Sequence, residues 1–402
     1  MVTQMKKLFW ISLVVVSIVV IVECSPVKQG TCTPSSGGDP SVDDVPAINN
    51  ALSTCGDGGT IIIPAGQTFM IRSPLNFKNC QGCDFQIEGT LKVSDDLAYW
   101  EGRTAFFMVQ DATNAKFHSL TGSGLIDGSG QKYWDYFATN NTYKRPYLLY
   151  LSNVSDVVFT KLNVKDSPFW FFFVTDGSTN VEFSEMVLTA ITKSQNRPAN
   201  TDGFDTGECS HVKIINNYVK NGDDCVSFKN GSNYVTVNNI TCIGSHGLSV
   251  GSLGGILGHH LVTNIYASNA KMINCSLGLR IKFYPGGPTH GTVYVSNITY
   301  ENIIIDNSDY AFQVDNCYES PSTTCKQYPS AAKVLDVYLI DVTGKTSNKY
   351  DPVVARIAGP PNGTCDITFR QWDIVAPSGK STVLCSHYDH PSGITCTPDD
   401  SI

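Results

Sequence analysis

Charge is scarce in this chain. Asp, Glu, Lys and Arg make up 16% of 402 residues, and the balance is acidic, with a formal net charge of −8. A basic stripe is missing, which argues against a nucleic-acid partner. An acidic protein is also a poor general binder of polyanions, so an acidic ligand would need a few local cations. Beyond the N-terminus no segment is long and apolar enough to span a membrane. No Pro- or Ser-rich linker marks a second domain. No second C-x-x-C accompanies Cys80 and Cys83, which weakens a zinc reading. Room for long helices is lacking too. With 34 glycines, the composition favours a turn-rich, all-β chain.

The apolar run at 8–22 follows Lys6 and Lys7 and ends before Glu23, Cys24 and Ser25. It is short for a membrane helix and reads as a signal peptide over 1–24, cut near Cys24. The expectation is a secreted, extracellular protein with one domain over 25–402. The cysteines agree. Fourteen in an exported chain imply disulfides, and short separations suggest Cys225 with Cys242, Cys317 with Cys325, Cys385 with Cys396, and Cys32 with Cys55. Thirteen would remain after cleavage, leaving at least one thiol free. Seven N-x-S/T sequons, at Asn140, Asn153, Asn230, Asn239, Asn274, Asn297 and Asn362, are glycosylation candidates.

From about residue 150 the chain acquires a rhythm. Short β-branched or aromatic triplets, at 157–159, 181–183, 212–214, 235–237, 293–295 and 367–369, alternate with turns rich in Asn, Gly, Asp and Ser. Neighbouring steps are often 22 to 31 residues, the period of a solenoid. Strands this short favour a parallel β-helix over a leucine-rich repeat. A propeller would need about 40–45 residues per blade, and a sandwich would lack the coil-length period. The segment 43–52 reads as a short N-terminal helix capping the solenoid, because an open end would expose unpaired strand edges. The segment 58–64 reads as a turn and a buried strand.

Four segments carry candidate chemistry: Asn200-Thr201-Asp202-Gly203, Gly222-Asp223-Asp224-Cys225, Ser245-His246-Gly247 and Arg280-Ile281-Lys282. Asp202 to Asp223 is 21 residues and Asp224 to His246 is 22, each close to one coil. In a parallel β-helix such positions stack at about 4.8 Å. Asp202, Asp223, Asp224 and His246 should therefore form one column. Adjacent Asp223 and Asp224 can share a groove only if the backbone bends, which Gly222 would permit. Arg280 and Lys282, two apart on a strand, point the same way. Crowded carboxylates repel, so at least one should hold a proton near neutrality beside an ionised neighbour. That is the pairing glycosidic hydrolysis requires. Arg280 and Lys282 suit a sugar carboxylate. Taken singly, Asp-Asp is usually a turn, a histidine usually structural, and clustered Asp on this fold can instead bind Ca²⁺.

The ordered set N-T-D-G, G-D-D, (G/S)-H-G and R-I-K resembles the signature of glycoside hydrolase family 28, the polygalacturonases. Residues 122–135 resemble the family's G-x-G-x-I-D-G-x-G-x-x-W region. The resemblance implies a right-handed parallel β-helix, a galacturonan-binding groove, and hydrolysis with inversion and without a cofactor or metal. It implies a pectin or polygalacturonate partner and a monomer. It makes Asp223 the general acid, Asp202 and Asp224 the pair activating water, and His246 the histidine beside the acid. Arg280 and Lys282 would grip the galacturonate carboxylate, with Tyr318 matching a groove tyrosine. Ser245 departs from the usual glycine.

Segments 244–254 and 283–286, and the Cys317–Cys325 insertion ending in Tyr328-Pro329-Ser330, resemble fungal exo-polygalacturonases. Release of terminal galacturonate is therefore expected over mid-chain cleavage. Related groups act on rhamnogalacturonan or xylogalacturonan, and Arg280 with Lys282 fits a galacturonate better than a rhamnose. The competing classes are a Ca²⁺-dependent pectate lyase and a non-catalytic wall-binding decoy.

Overall fold

A computed structural model describes residues 30–399, so the expected signal peptide and Cys24 lie outside the described residues. Strands of successive coils pair in parallel. Twelve of them, from Leu75–Asn76 to Cys396–Pro398, form one continuous sheet, while a second, larger sheet wraps the remaining sides. This is the parallel β-helix that the repeat implied. The helix Val45–Cys55 closes the N-terminal end. Its buried residues Val45, Ile48, Ala51, Leu52 and Cys55 share one helical face, and Cys32–Cys55 ties it to the first coil.

The core is built by repetition. Val157, Val181, Val212, Val235, Ile265, Ile298, Val337 and Ile367 occupy one inward row. Five of the six expected triplets lie on it. The sixth, 293–295, sits five residues early, and Ile298–Tyr300 takes the row instead. Coil stacking also aligns rings: Phe117 and Phe159 lie 4.5 Å apart and nearly parallel, and Phe172 stacks on Phe204 at 5.5 Å.

The corners explain the turn composition. Asn216, Asn239, Asn269, Asn302 and Asp341 follow one another on a single corner, all with φ between 51° and 58°. Asn and Asp tolerate this left-handed geometry best among residues with a Cβ. Each corner turns the chain within one residue, so a run such as Ser232–Ile243 continues round it. Asn side chains stack across coils, with Asn239 Nδ2 donating to Asn216 Oδ1 at 2.9 Å and Asn297 Nδ2 to Asn264 Oδ1 at 2.6 Å.

All four suggested disulfides form. Cys80 and Cys83 bond to each other rather than to a metal. Cys209, Cys275 and Cys365 are free thiols, all buried, and burial pushes them up to about 12, 11 and 12.

Candidate active site

The site lies on the twelve-stranded sheet. Tyr150, Phe173, Asp205, Ser227, Ser249, Arg280 and Gln313 occupy successive rungs of one row. Core rows flank it on both sides, so the side chains of this row face the groove. Asp202, Asp223, Asp224 and His246 approach the row from the turns that precede these strands.

The adjacent carboxylates do share the groove. The chain bends at Gly222 and Asp223, outside any strand. Glycine is needed at 222 for closeness rather than freedom, because a Cβ there would lie 2.5 Å from the Pro198 carbonyl oxygen. His246 Nδ1 sits 3.1 Å from Asp223 Oδ1, and the Asn200 amide donates to Asp223 Oδ2 at 3.2 Å. Asp224 receives Lys282 Nζ at 2.7 Å on one oxygen and Ser249 Oγ at 2.6 Å on the other. Arg280 Nη2 donates to Asp315 Oδ2 at 3.2 Å. The Tyr318 ring lies about equally close to both cations, 5.0 Å from Arg280 and 5.1 Å from Lys282. All seven expected site residues thus gather in one place.

Ser245 is an integrated departure. Its buried hydroxyl donates to the Asp223 carbonyl at 2.9 Å and accepts from the Gly247 amide at 2.9 Å. It bridges the acid-bearing turn to the histidine-bearing one. Gly247 supplies the left-handed corner (φ 75°), where a Cβ would meet the Gly278 carbonyl oxygen at 2.0 Å.

The sequence reading missed Asp205, Lys229, Ser249 and Arg145. Lys229 Nζ lies 3.1 Å from Asp205 Oδ1 and 3.7 Å from Asp202 Oδ2. It stands one residue past Phe228, and Lys282 one past Ile281, at equivalent positions two coils apart. The signal was available: Lys229 is two residues after groove-facing Ser227, as Lys282 is after Arg280. Arg145 works behind the site. Its guanidinium donates to the carbonyls of Pro168 and Ala199 and to Asn200 Oδ1, fixing the turn whose amide holds Asp223.

Burial pushes Asp202 well above the usual carboxylate range, and the charges of Asp205 and Asp223 push it further against the pull of Lys229. Burial likewise raises Asp205 to about 7, with Lys229 opposing. Burial also raises Asp223, but the hydrogen bond and charge of His246, with Lys282, outweigh it and leave Asp223 below its ordinary value. Burial and mutual charge thus favour a proton on Asp202 or Asp205 rather than on Asp223 in the free protein. Groups this close exchange protons as one unit.

Asp223, Asp224 and His246 each offer a ligand atom within 4.8 Å of the others. A cation there would compete with Lys282 and Ser249 for the oxygens of Asp224, both already engaged. The donor set suits a charged amine better than Ca²⁺, which takes six to eight oxygen ligands.

The family model for glycosyl hydrolases family 28 matches residues 55–396. A probable endo-xylogalacturonan hydrolase A of Aspergillus niger is 50% identical over 92% of this chain and 91% of its own length. The crystal structure of endo-xylogalacturonan hydrolase from Aspergillus tubingensis superposes with a TM-score of 0.91 at 49% identity, covering 92% of this chain and 99% of that one. A hyperthermoactive exopolygalacturonase of Thermotoga maritima shares the fold, with TM-score 0.68 at 18% identity over 92% and 94% of the two chains.

Proposed function

The chain belongs to glycosyl hydrolases family 28, and on that premise we propose that it cleaves the galacturonan backbone of pectin mid-chain, in stretches that carry xylose. The observation that carries this reading is 49–50% identity, across nine-tenths of the chain, to proteins named for that activity. It departs from the expectation of terminal attack. We read the protein as an exported monomer.

In this reading Asp223 protonates the leaving glycosidic oxygen, and Asp202 with Asp224 activates the water. Arg280 and Lys282 hold the galacturonate carboxylate against Tyr318. Substrate binding would then redistribute the proton. When a sugar carboxylate takes Lys282, the cation that helps keep Asp223 low is shared, and an oxygen of Asp224 is released toward water. The burial already pressing on Asp223 then acts with less opposition.

One feature favours the exo alternative. The Tyr284 hydroxyl donates to Glu319 Oε2 at 3.2 Å, and the Gly286 amide donates to the Tyr328 carbonyl at 2.9 Å, so two loops meet beside the cations. The test is a time course on xylogalacturonan and on polygalacturonic acid, following viscosity, reducing ends and product size. A rapid viscosity loss on xylogalacturonan is expected. Early monogalacturonate with little viscosity loss would establish the exo alternative, and an ultraviolet-absorbing unsaturated product would mean a lyase.

A further inference from the structure

Tyr147, Tyr150, Phe169, Trp170 and Phe173 form an aromatic patch that the hydrolytic residues do not use. None is fully buried. The Tyr147 ring lies at the centre, 5.7 Å from Tyr150, 5.4 Å from Phe169, 5.1 Å from Trp170 and 5.4 Å from Phe173. The patch is continuous with the carboxylates. Phe173 is the rung next to Asp205, and Tyr150 the rung before that.

Its surroundings suit a neutral group better than a second uronate. At the edge away from the catalytic carboxylates the Tyr150 hydroxyl donates to exposed Asp176 Oδ2 at 2.6 Å. The neighbouring cation, Lys229, stands 4.6 Å from the Trp170 ring centre but is held by Asp205 and Asp202. The opposite side of the carboxylates is different: it presents Arg280 and Lys282, then a cavity of about 520 Å³ lined in part by Lys326. The groove therefore has a cationic arm and an aromatic arm. Within the patch Phe169 stacks on Trp170 at 11° and Tyr147 on Tyr150 at 23°. Such ring faces beside the exposed Asp176 take the C–H face of an uncharged pyranose, whose hydroxyls can donate to that carboxylate.

We propose that the aromatic arm is a subsite for a neutral sugar, the xylosyl side group of a backbone unit next to the cleavage point. The proposal deepens the function given above and rests on it for the identity of the sugar.

The experiment is calorimetric binding to the Asp223→Asn variant, which would bind without turnover. The ligands are xylosylated and bare trigalacturonate. The xylosylated ligand should bind about tenfold tighter. Adding Trp170→Ala or Tyr147→Ala should erase that difference, while Tyr147→Phe, which keeps the ring, should preserve it and report intact folding. No preference in the parent variant, or a preference that survives both alanine changes, overturns the proposal. So does an equal weakening of both ligands, which would make the patch a backbone subsite. A wild-type enzyme inactive on xylogalacturonan, with the binding difference intact and ring-dependent, would overturn the function and leave the subsite standing.

Discussion

The Lys282 ammonium lies 2.7 Å from Asp224 Oδ2, and neither side chain is more than 5% exposed. A pair this far from water draws its strength from remaining a pair. Taking away one partner strands the other charge. Lys282→Met should therefore cost stability as well as turnover: about 3 kcal/mol by urea denaturation, and at least about a hundredfold in kcat/KM. A variant with wild-type stability would mean that Asp224 finds another partner.

Asp205 should make the protein less stable as pH rises. Its folded value of about 7 exceeds that of an unfolded aspartate, so its contribution is complete below about pH 4 and is lost as pH climbs through 7. Asp202 acts in the same direction. The lowered Asp223 contributes no slope here, because its stabilisation is already complete above its unfolded value. Thermal unfolding should show stability falling by on the order of 3 kcal/mol between pH 4 and 7. Asp205→Asn, which mimics the protonated side chain, should flatten that fall. An unchanged slope in the variant would assign it to other groups.

Lys229 should govern the acid limb of the activity profile. It pulls Asp202 down, so its removal lets burial raise that carboxylate further. If Asp202 must ionise to activate water, Lys229→Met moves the rising limb of kcat/KM to higher pH. A loss of about tenfold at pH 4.5 that shrinks toward neutrality is expected. A uniform loss at every pH would make Lys229 a binding or packing residue instead.

Ser245→Ala should be worse than Ser245→Gly. Both remove the hydroxyl that joins the Asp223 carbonyl to the Gly247 amide. Alanine also keeps a Cβ that blocks water from the vacated space. A loss of about 1–2 kcal/mol is expected for alanine, with glycine, the residue usual in the resembling motif, recovering part of it. The reverse order in chemical denaturation would contradict this account.

Much of this architecture was legible in the sequence. The coil period placed Asp202, Asp223, Asp224 and His246 together because stacking turns sequence intervals into rungs. The triplet 293–295 misled for a physical reason. A left-handed corner within a strand run lets two sides of one coil carry the same β-branched pattern. Lys229 carried the same two-residue offset from a groove-facing residue as Lys282, but a lone lysine is usually surface, and only the coil register sets it beside two aspartates. The protonation pattern needed burial and hydrogen bonds, which spacing does not supply. The rings at Tyr147 and Trp170 carried no signal in the sequence, because only tertiary packing brings them together.

The asparagine corners have a consequence for how the molecule meets a polymer. Asn239 and Asn297 are sequon residues and also exposed, left-handed corners of the larger sheet. Glycans there would project from that sheet rather than from the twelve-stranded sheet that carries the site. The Asn274 sequon differs, because it lines the same cavity as Gly222 and His246. The protein would then have a coated back. In a dense, hydrated wall, such a coat would act as a spacer, hindering nonproductive adhesion from behind.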